Sequence, residues 1–241
     1  MTDGALLTVS RRNFLPGMEP NIKEKGKGLK NLILVGAGGC GREVLQWAKD
    51  INKVQPMWNI KGFLNDPEYL DALDGLRCTH GIIGTIDGYE IQPEDEFICC
   101  IGEGAARRRI IKRILERGAR LTNVIHPTAV ICDSCLLGEG VIVYPYAVIS
   151  DNARIGDGCI INMHSTIAHN AVLGEYCTIS AHCDVTGRCT LGRNVFMGSC
   201  SNMVPGSRIG DDAFICAGST VMGRIRPGEK VIGIPARRAA F

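Results

Sequence analysis

Aromatic side chains and net charge are both scarce in this chain. Phe, Trp and Tyr make up 5% of its 241 residues, and the formal net charge is only +2. So small a charge balance gives no indication of a nucleic-acid partner or of insertion into a membrane. The low aromatic content suits a narrow protein interior with no room for rings. The length is sufficient for two domains, each with its own core.

The N-terminal segment also lacks the apolar stretch of an export signal. The pair Arg11–Arg12, in the context SRRNFL, resembles a twin-arginine motif, but Pro16, Gly17 and several lysines follow it. An export signal requires an apolar segment at that place. We therefore predict a cytoplasmic protein whose residues 1–30 form a flexible extension.

What the chain has in abundance is a six-residue repeat. An aliphatic residue or Met recurs at every sixth position of the second half, and a small residue almost always precedes it by two positions. A period of six is typical of a β-helix, in which each hexad forms one short strand and one corner. The aliphatic residue fills the centre of the prism, and the small one packs beside it. The aliphatic positions are Ile125, Ile131, Leu137, Val143, Ile149, Ile155, Ile161, Ile167, Leu173, Ile179, Val185, Leu191, Met197, Met203, Ile209, Ile215 and Val221.

The twelve cysteines do not indicate a disulfide framework. Several of them take the small inward position of a hexad, where Ala and Ser stand in other repeats. We interpret them as packing residues of a reduced protein. These are Cys135, Cys159, Cys177, Cys183 and Cys189.

The segment before the repeats predicts an α/β domain. The apolar run 31–35 is typical of a strand buried in a parallel sheet, and it leads into the turn GAGGCGRE and the start of a helix. Gly36, Gly38 and Gly41 have the spacing G-x-G-x-x-G. Such a turn brings backbone N–H groups to a helix N-terminus and can hold a phosphate. The alternative is that the glycines only permit a tight turn.

Further strands at 60–64 and 97–101 and a helix at 105–117 complete half a Rossmann-like unit. The unit is too short for the six-stranded dinucleotide fold. A mononucleotide or a nucleotide sugar is therefore the favoured ligand of the glycine-rich turn. The predicted substrate-binding residues in this domain are Gly36, Gly38, Gly39, Cys40, Gly41, Arg42, Asn65 and Asp66.

Five segments, GAGGCGREV, FICCIGEGAARRRI, NVIHPTAVI, INMHSTIAHNAVLG and GIPARR, occur in the order found in a known family. Over residues 31–238 the chain resembles the bacterial nucleotide-sugar acetyltransferases of the hexapeptide-repeat superfamily. Members include the N-acetyltransferases of 4-amino-sugar nucleotides and enzymes of the sialic-acid O-acetyltransferase type. The resemblance implies a homotrimer with acetyl-CoA along the β-helix at the subunit interface. It also implies three regions: the extension 1–30, a Rossmann-like nucleotide-sugar-binding domain 31–122, and a left-handed parallel β-helix with a C-terminal cap, 123–241.

The resemblance also implies the catalytic residues. The family's histidine base corresponds to His169, and the asparagine that lies near the reacting amine corresponds to Asn162. Asn170 stands where relatives have an acidic residue, Thr178 where they often have a second histidine, and Cys40 where the glycine-rich turn often has one. These departures leave open the substrate preference and the rate.

The repeat also places residues around His169. Three hexads make one coil, so residues at equivalent positions of successive coils stack about 4.8 Å from each other. Asp151 is then predicted one coil below His169, and Gly187 one coil above. We expect Asp151 to orient the imidazole in place of the acid that Asn170 lacks. We expect the backbone N–H of Gly187 to stabilise the oxyanion of the attacked thioester.

These residues predict an acetyl-CoA-dependent acetyltransferase. The resemblance implies that such an enzyme N-acetylates an amino-sugar nucleotide of the UDP-4-amino-sugar type by direct attack on the thioester, with His169 as general base. Two alternatives are an O-acetyltransferase acting on a sugar and a catalytically weakened nucleotide-sugar-binding trimer. Arg237 belongs to a C-terminal basic cluster that fits the phosphates of CoA or, equally well, a solvated cap. The residues predicted to bind acetyl-CoA are Thr178, Gly187, Ser199, Ala217 and Arg237.

A metal site is a weaker alternative. His164 and His169 have the spacing of two zinc ligands in gamma-class carbonic anhydrases, which share the solenoid, but Thr128 occupies the place of the third ligand. Two ligands of three do not make a zinc site, so no metal is expected. His164 and His182, which stand at equivalent positions of successive coils, are interpreted as a polar pair lining the acetyl-CoA groove.

Overall fold

The computed structural model describes residues 28–239 and shows an α/β domain followed by a β-helix of hexapeptide repeats. The predicted fold class is therefore confirmed. Residues 1–27 of the predicted extension, with Arg11 and Arg12, lie outside the described residues. Within 28–239, no helix is long and apolar enough to cross a membrane.

The α/β domain is a four-stranded parallel sheet with a helix on each side. The strand order is β3-β2-β1-β4. Alternate residues of the central strand β1 point to opposite faces, so Leu32 and Leu34 pack with the first helix and Ile33 and Val35 with the second. The elements are β1 Lys30–Val35, α1 Gly39–Val54, β2 Trp58–Asn65, a 3₁₀ turn Pro67–Tyr69, β3 Ile82–Thr85, β4 Asp95–Cys99 and α2 Gly104–Leu115.

Strand β3 is absent from the sequence-based prediction. It is an edge strand of four residues that are exposed or half-buried. One of the four is Gly84, and so short a run carries little apolar signal. Strand β4 also begins at Asp95, two residues before the predicted start. Asp95 is only 2% exposed because its carboxylate accepts hydrogen bonds from Asn31, Tyr89 and the Gln92 backbone.

The β-helix has three sheet faces, and the strands of each face recur once in every coil of three hexads. On face 1, for example, Ile142 pairs with Ile160, which pairs with Thr178. Face 1 contains β5 Val124–Ile125, β8 Ile142–Val143, β11 Ile160–Ile161, β14 Thr178–Ile179, β17 Phe196–Met197, β20 Phe214–Ile215, β23 Lys230–Ile232 and the antiparallel β24 Arg237–Arg238. Face 2 contains β6 Val130–Ile131, β9 Val148–Ile149, β12 Thr166–Ile167, β15 Asp184–Val185, β18 Asn202–Met203 and β21 Thr220–Val221. Face 3 contains β7 Leu136–Leu137, β10 Arg154–Ile155, β13 Val172–Leu173, β16 Thr190–Leu191, β19 Arg208–Ile209 and β22 Arg224–Ile225.

The interior of the prism is built as the repeat predicts. From Ile131 to Val221 the aliphatic residues of the hexads are buried, except for the partly buried Leu137, and the small residues before them pack in the same core. The five inward cysteines are buried free thiols. Sγ atoms of Cys159 and Cys177 each lie 3.1 Å from a carbonyl oxygen of the neighbouring coil. These thiols therefore fill space beside the aliphatic stack.

Each coil turns three corners. The first corner joins face 1 to face 2 (126–129 and its equivalents in later coils), the second joins face 2 to face 3 (132–135 and its equivalents), and the third joins face 3 to face 1 (138–141 and its equivalents). Side chains at one corner form a column because successive coils are about 4.8 Å apart. Residues other than glycine with a left-handed backbone at these corners are Tyr146, Asn152, His164, Asn170, Tyr176, His182, Arg188, Asn194, Cys200 and Asp212.

The α/β domain lies on face 1 of the lower coils. Val124, Ile142 and Ile160 point outward from face 1 and share a buried cluster with residues of helix α1. The ring of Trp47 in α1 packs edge-on against His126 and Tyr144 of the first corner, with ring centroids 5.3 and 5.8 Å apart. The glycine-rich turn at the start of α1 is therefore held against the β-helix.

Candidate active site

His169 and Gly187 lie against each other at the second corner. A Cβ built on Gly187 would be 2.6 Å from Nε2 and 2.7 Å from Cε1 of His169. The imidazole thus occupies the space that a side chain at 187 would need. Gly187 is buried, whereas His169 is exposed. Only glycine permits this close approach of the ring to the backbone.

Asn170 determines which nitrogen of His169 is free to accept a proton. Nδ1 of His169 lies 3.1 Å from Oδ1 of Asn170. An amide oxygen only accepts, so a hydrogen bond at this distance requires the proton on Nδ1 and leaves the lone pair on Nε2. Asn170 has a φ of 59°, a left-handed conformation that Asn adopts more readily than most residues. The free Nε2 is also the atom of the ring nearest the Cβ position of Gly187.

The backbone N–H of Gly187 has no acceptor within residues 28–239. The neighbouring Arg188 N–H, by contrast, donates to the carbonyl oxygen of His169 at 3.0 Å. A free N–H beside an imidazole lone pair combines the two groups that acyl transfer requires, a donor for the oxyanion and a base for the nucleophile.

The side chains of Asp151 and His169 form no hydrogen bond or ion pair with each other in residues 28–239, which differs from the sequence-based expectation. Its Oδ1 accepts from the hydroxyl of Ser134 at 2.5 Å, and its Oδ2 accepts from the amide of Asn152 at 2.8 Å. Both oxygens therefore bond to its own coil and the one below. Stacking of successive coils positions the backbone of Asp151 beneath His169 but leaves the direction of its side chain undetermined. In the structure Asn170 takes the orienting role that was expected of Asp151.

The glycine-rich turn leaves the start of helix α1 open. Gly36 has a φ of 99°, and a Cβ on Gly41 would overlap the carbonyl oxygen of Gly36. Gly38 is the N-cap residue, and no side chain caps the helix there. A Cβ on Gly38 or Gly39 would meet nothing within 4 Å. The first N–H groups of α1 can therefore reach an anionic group such as a phosphate.

Two of the predicted substrate-binding side chains support this turn from within the protein. Oδ1 of Asn65 accepts from the Ala37 N–H at 3.1 Å, and its amide donates to the carbonyl of Tyr69. Arg42 donates to the carbonyl of Ala37 at 3.1 Å. Both side chains therefore fix the shape of the turn.

One oxygen of the Asp66 carboxylate, Oδ1, is engaged within the α/β domain. It forms an ion pair with Arg113, whose guanidinium also bonds to Asp87. These carboxylates hold Arg113 protonated, and the hydrogen bond from Arg113 lowers the pKa of Asp87. Asp66 is thus bound to helix α2, and the expectation that it contacts substrate has no support from its present partners.

Cys40 joins the glycine-rich turn to the β-helix. Its Sγ lies 3.3 Å from the hydroxyl of Tyr144, which is 1% exposed. Burial raises the pKa of the Cys40 thiol, so it is a neutral hydrogen-bonding group. Asn162 stands one coil above Tyr144 on the same corner, half-buried, with Oδ1 accepting from the Met163 N–H at 2.7 Å. The turn, Cys40 and Asn162 therefore follow one another along the first corner.

Apart from Gly187 at the second corner, the predicted acetyl-CoA residues lie in three different places. Ser199 and Ala217 stack at the first corner and are exposed. Arg237 lies in the antiparallel end strand and is exposed. Thr178 is 8% exposed, and its hydroxyl donates to the Gly102 carbonyl of the α/β domain. The side chain of Thr178 thus lies in the contact between the domains, and its binding of acetyl-CoA stays a prediction.

A single chain does not bring all of these groups together. His169 and Gly187 are on the second corner, whereas Asn162, Ser199 and Ala217 are on the first, and face 2 lies between the two corners. Within residues 28–239, no group of three or more His, Cys, Asp or Glu side chains is placed to hold a metal ion.

Arg107 is the residue at the domain contact that sequence reasoning missed. Its side chain is fully buried and donates to carbonyl oxygens of Gly158 and Tyr176 and to the Thr178 hydroxyl, at 2.6, 2.7 and 2.9 Å. A signal existed, because the helical spacing of 107, 110, 111 and 114 puts Arg107 on the buried face of α2. Arg108 and Arg109, which follow Arg107 directly, do not have this spacing and are exposed.

Two protein families match parts of the chain. Residues 31–114 match the PglD N-terminal domain, and residues 152–187 match the bacterial transferase hexapeptide repeats. The first match covers the α/β domain from β1 to the end of α2, and the second covers the coils that contain His169 and Gly187.

Several solved structures, two of them of acetyltransferases, have a similar fold over most of both chains. The acetyltransferase domain of PglB from Neisseria gonorrhoeae, in complex with acetyl coenzyme A, is 25% identical, with 88% of this chain and 100% of that chain covered and a TM-score of 0.78. A mutant of perosamine N-acetyltransferase from Caulobacter crescentus, in complex with CoA and GDP-perosamine, is 24% identical over 89% and 99%, with a TM-score of 0.80. WeeI from Acinetobacter baumannii is 22% identical over 86% and 99%, with a TM-score of 0.65. The chain thus joins a PglD N-terminal domain to bacterial-transferase hexapeptide repeats in the fold of the sugar N-acetyltransferases, which confirms the resemblance drawn from its sequence.

Proposed function

We propose that the protein is an acetyl-CoA-dependent acetyltransferase that N-acetylates an amino-sugar nucleotide. The observation that carries the proposal is the contact of His169 with Gly187, which sets a free imidazole nitrogen beside a backbone N–H without an acceptor. The similar PglB domain binds acetyl coenzyme A, and the similar perosamine N-acetyltransferase binds CoA and GDP-perosamine. Both support a thioester donor and an amino-sugar acceptor.

The chemistry is a direct transfer. The amine nitrogen of the sugar attacks the thioester carbonyl carbon, Nε2 of His169 takes the proton that the amine loses, and the Gly187 N–H donates to the oxyanion. The tetrahedral intermediate then collapses, the carbon–sulfur bond breaks, and the imidazolium returns its proton to the leaving thiolate. General-base catalysis of this kind contributes about 10²–10⁴ in rate.

The acceptor's nucleotide is assigned to the glycine-rich turn. The open N-terminus of α1 suits its phosphates, and the first corner leads from there past Cys40 and Tyr144 to Asn162. The resemblance favours a UDP-linked 4-amino sugar, whereas the perosamine enzyme takes a GDP-linked one. The experiment below therefore compares acceptors that carry different nucleotide bases.

A second copy of the chain completes the site in this proposal. The outward residues of face 2 carry no cation: Val130, Val148, Thr166, Asp184, Asn202 and Thr220. Face 3, by contrast, exposes Arg154, Arg208 and Arg224, which repel their own kind. Packing through face 2 brings the second corner of one copy to the first corner of the next. In a closed ring of three copies, each second corner then contacts a first corner and none is left unpaired. The proposed assembly is therefore a homotrimer.

The test is detection of acetyl transfer by mass spectrometry, because twelve cysteines interfere with thiol-release dyes. The acceptors are UDP-, GDP- and dTDP-linked 4-amino sugars, with the corresponding 4-hydroxy sugars as the O-acetylation arm. We expect one amine acceptor to gain an acetyl group, and His169→Ala to lower kcat about a hundredfold or more. His80→Ala, which removes a histidine of the α/β domain, is the matched control. Wild-type transfer that survives in His169→Ala contradicts the assignment of the base.

A further inference from the structure

Positive charge is concentrated in the last coil of the β-helix. Between positions 220 and 239 the chain has five Lys and Arg residues and a single acidic residue, Glu229, although its net charge as a whole is only +2. All five cations are exposed. We call the outward side chains of residues 220–239 the end surface, since they surround the upper end of the solenoid. Its cations are Arg224, Arg226, Lys230, Arg237 and Arg238.

The end surface has no counter-charge of its own. Lower in the β-helix, the exposed Arg193 pairs with a carboxylate of the next coil at 2.8 Å. By contrast, no cation of the end surface forms an ion pair within residues 28–239. The carboxylate of Glu229 is turned to the backbone, where its Oε2 accepts from the N–H of Arg226 at 2.8 Å. Arg224 also stands opposite Arg208 of the coil below, and like charges at opposed strand positions are destabilising. An anionic group from outside the chain removes this cost.

Aliphatic side chains are exposed on the same coil. Met222, Ile232 and Ile234 are 53%, 47% and 70% exposed. Ile232 and Lys230 point to the same outward side of strand β23, with the buried Val231 between them. A terminal repeat normally has a polar outer face. A solvated cap therefore explains the cations of the end surface but not its aliphatic side chains.

The end surface lies apart from the α/β domain and from the proposed active site. The α/β domain packs on the lower coils of face 1. Arg224 is on face 3, Arg226 on the third corner and Lys230 on face 1, whereas the proposed active site lies on the two corners that border face 2. Copies that pack side by side through face 2 therefore leave these three cations free. In the proposed ring of three, rotation about one axis turns all three end surfaces the same way.

We propose that the end surface binds the surface of a membrane that contains anionic lipids. The lipid phosphates supply the missing negative charge, and each Lys or Arg near such a surface strengthens binding about fivefold. Arg226, Lys230 and Arg238 line one open depression, so their cations converge on the same space. Exposed aliphatic side chains such as Ile232 enter the boundary between headgroups and acyl chains, which the phosphates of a nucleic acid do not offer. The inference is independent of the acetyl-transfer chemistry.

Sedimentation with lipid vesicles tests the inference on the full chain. We expect wild type to bind vesicles of phosphatidylcholine mixed with phosphatidylglycerol, not to bind phosphatidylcholine alone, and to be released as the salt concentration rises. Arg226→Gln is expected to weaken binding to the anionic vesicles about fivefold per chain, and more when several copies bind together. Ile232→Thr keeps a β-branched residue but removes apolar surface, and it is expected to weaken binding about threefold or more.

Arg154→Gln is the matched control. Arg154 is exposed on face 3 but lies four coils, about 19 Å, below Arg224. At that distance salt screens it from the membrane, so its loss is expected to change vesicle binding less than about twofold.

Several results overturn the inference. These are wild type that does not bind anionic vesicles, equal weakening by Arg154→Gln and Arg226→Gln, and vesicle binding by Ile232→Thr that equals wild type. A DNA duplex that binds in place of vesicles, with a dependence on Arg226 but not on Ile232, assigns the end surface to nucleic acid. If Arg226→Gln weakens CoA in calorimetry and leaves vesicle binding unchanged, the cluster serves the acyl donor. Acetyl transfer is measured without vesicles, so a failure to bind them leaves the proposed function intact.

Discussion

Replacing Arg107 is expected to loosen the contact between the two domains more than any surface change of similar size. The five N–H groups of its guanidinium reach six acceptors, five backbone carbonyls and the hydroxyl of Thr178, so one hydrogen is shared between two acceptors. The side chain is fully buried, and burial lowers its pKa from the ordinary value. Among the described residues no carboxylate forms an ion pair with it. The cation is thus stabilised by carbonyl dipoles of both domains.

The magnitude follows from the acceptors that the substitution leaves behind. Arg107→Met keeps the length of the side chain but removes the donor from all six acceptors. The Cys177 carbonyl keeps the Ile160 N–H and the Gly102 carbonyl keeps the Thr178 hydroxyl, so the carbonyls of Ile101, Gly158 and Tyr176 are the ones left without a donor. Each buried unsatisfied group costs about 1–3 kcal/mol, and such costs are not additive within one network. Recovering the desolvation energy of the guanidinium offsets part of the loss. We expect the free energy of unfolding to fall by about 3–5 kcal/mol.

Urea unfolding followed by tryptophan fluorescence measures this change. Both tryptophans lie in the α/β domain, and Trp47 packs on the first corner of the β-helix. Arg109→Met is the matched control, because Arg109 is on the same helix but exposed, and it is expected to change stability by less than about 0.5 kcal/mol. If Arg107→Met destabilises by less than about 1 kcal/mol, or no more than the control, the account of the domain contact is wrong.

Three further outcomes are expected from the structure. Gly41→Ala places a Cβ on the Gly36 carbonyl and is expected to lower the midpoint of thermal unfolding by several degrees, measured by circular dichroism. Gly187→Ala displaces the His169 ring and is expected to lower kcat about a hundredfold or more with little change in stability. Burial lowers the pKa of His126 below 6.5. On acidification the unfolded chain therefore takes up this proton first, and the free energy of unfolding falls as the pH drops through 6.5. Urea titrations at pH 7.5 and 5.5 are expected to show a smaller fall in this free energy for His126→Asn than for wild type.

Each of these has its own control or contrary result. Gly39→Ala meets nothing within 4 Å, so equal destabilisation by it contradicts the steric account of the turn. A Cβ on Gly81 also meets nothing within 4 Å, so Gly81→Ala is the control for Gly187→Ala. If Gly187→Ala leaves kcat unchanged, the active site does not require a glycine at position 187. For His126, a pH dependence that is identical in wild type and variant shows that other groups cause it.

The features that could be predicted best from the sequence are those that depend on the six-residue repeat. Burial of residues such as Ile161 and Cys183 follows from the six-residue period alone, because each hexad turns the same two positions inward. The contact of His169 with Gly187 follows from the coil of three hexads, since glycine has no side chain whose direction could differ. The hydrogen bonds of Asp151 to Ser134 and Asn152 could not be predicted, because the repeat gives the position of a backbone and not the direction of a side chain.

The contact between the domains could not be read from the repeat. Thr178 occupies an ordinary outward position of a hexad, and only the α/β domain lying on face 1 buries it. Strand β3 is short, half-exposed and interrupted by Gly84, so it has neither length nor periodicity to reveal it. Arg107 was not singled out in the sequence, although its helical spacing from Ile110 and Ile114 places it on the buried face of α2.

The central claim is that a second copy completes the active site, and mixed trimers test it most directly. His169→Ala and Asn162→Ala are each expected to be inactive in acetyl transfer, because each removes one corner's contribution. When the two variants are co-expressed and assemble at random, about one interface in four pairs an intact His169 with an intact Asn162 from the neighbouring copy. The account therefore predicts recovery of about a quarter of wild-type activity. Co-expressed chains that are no more active than either variant alone would contradict it.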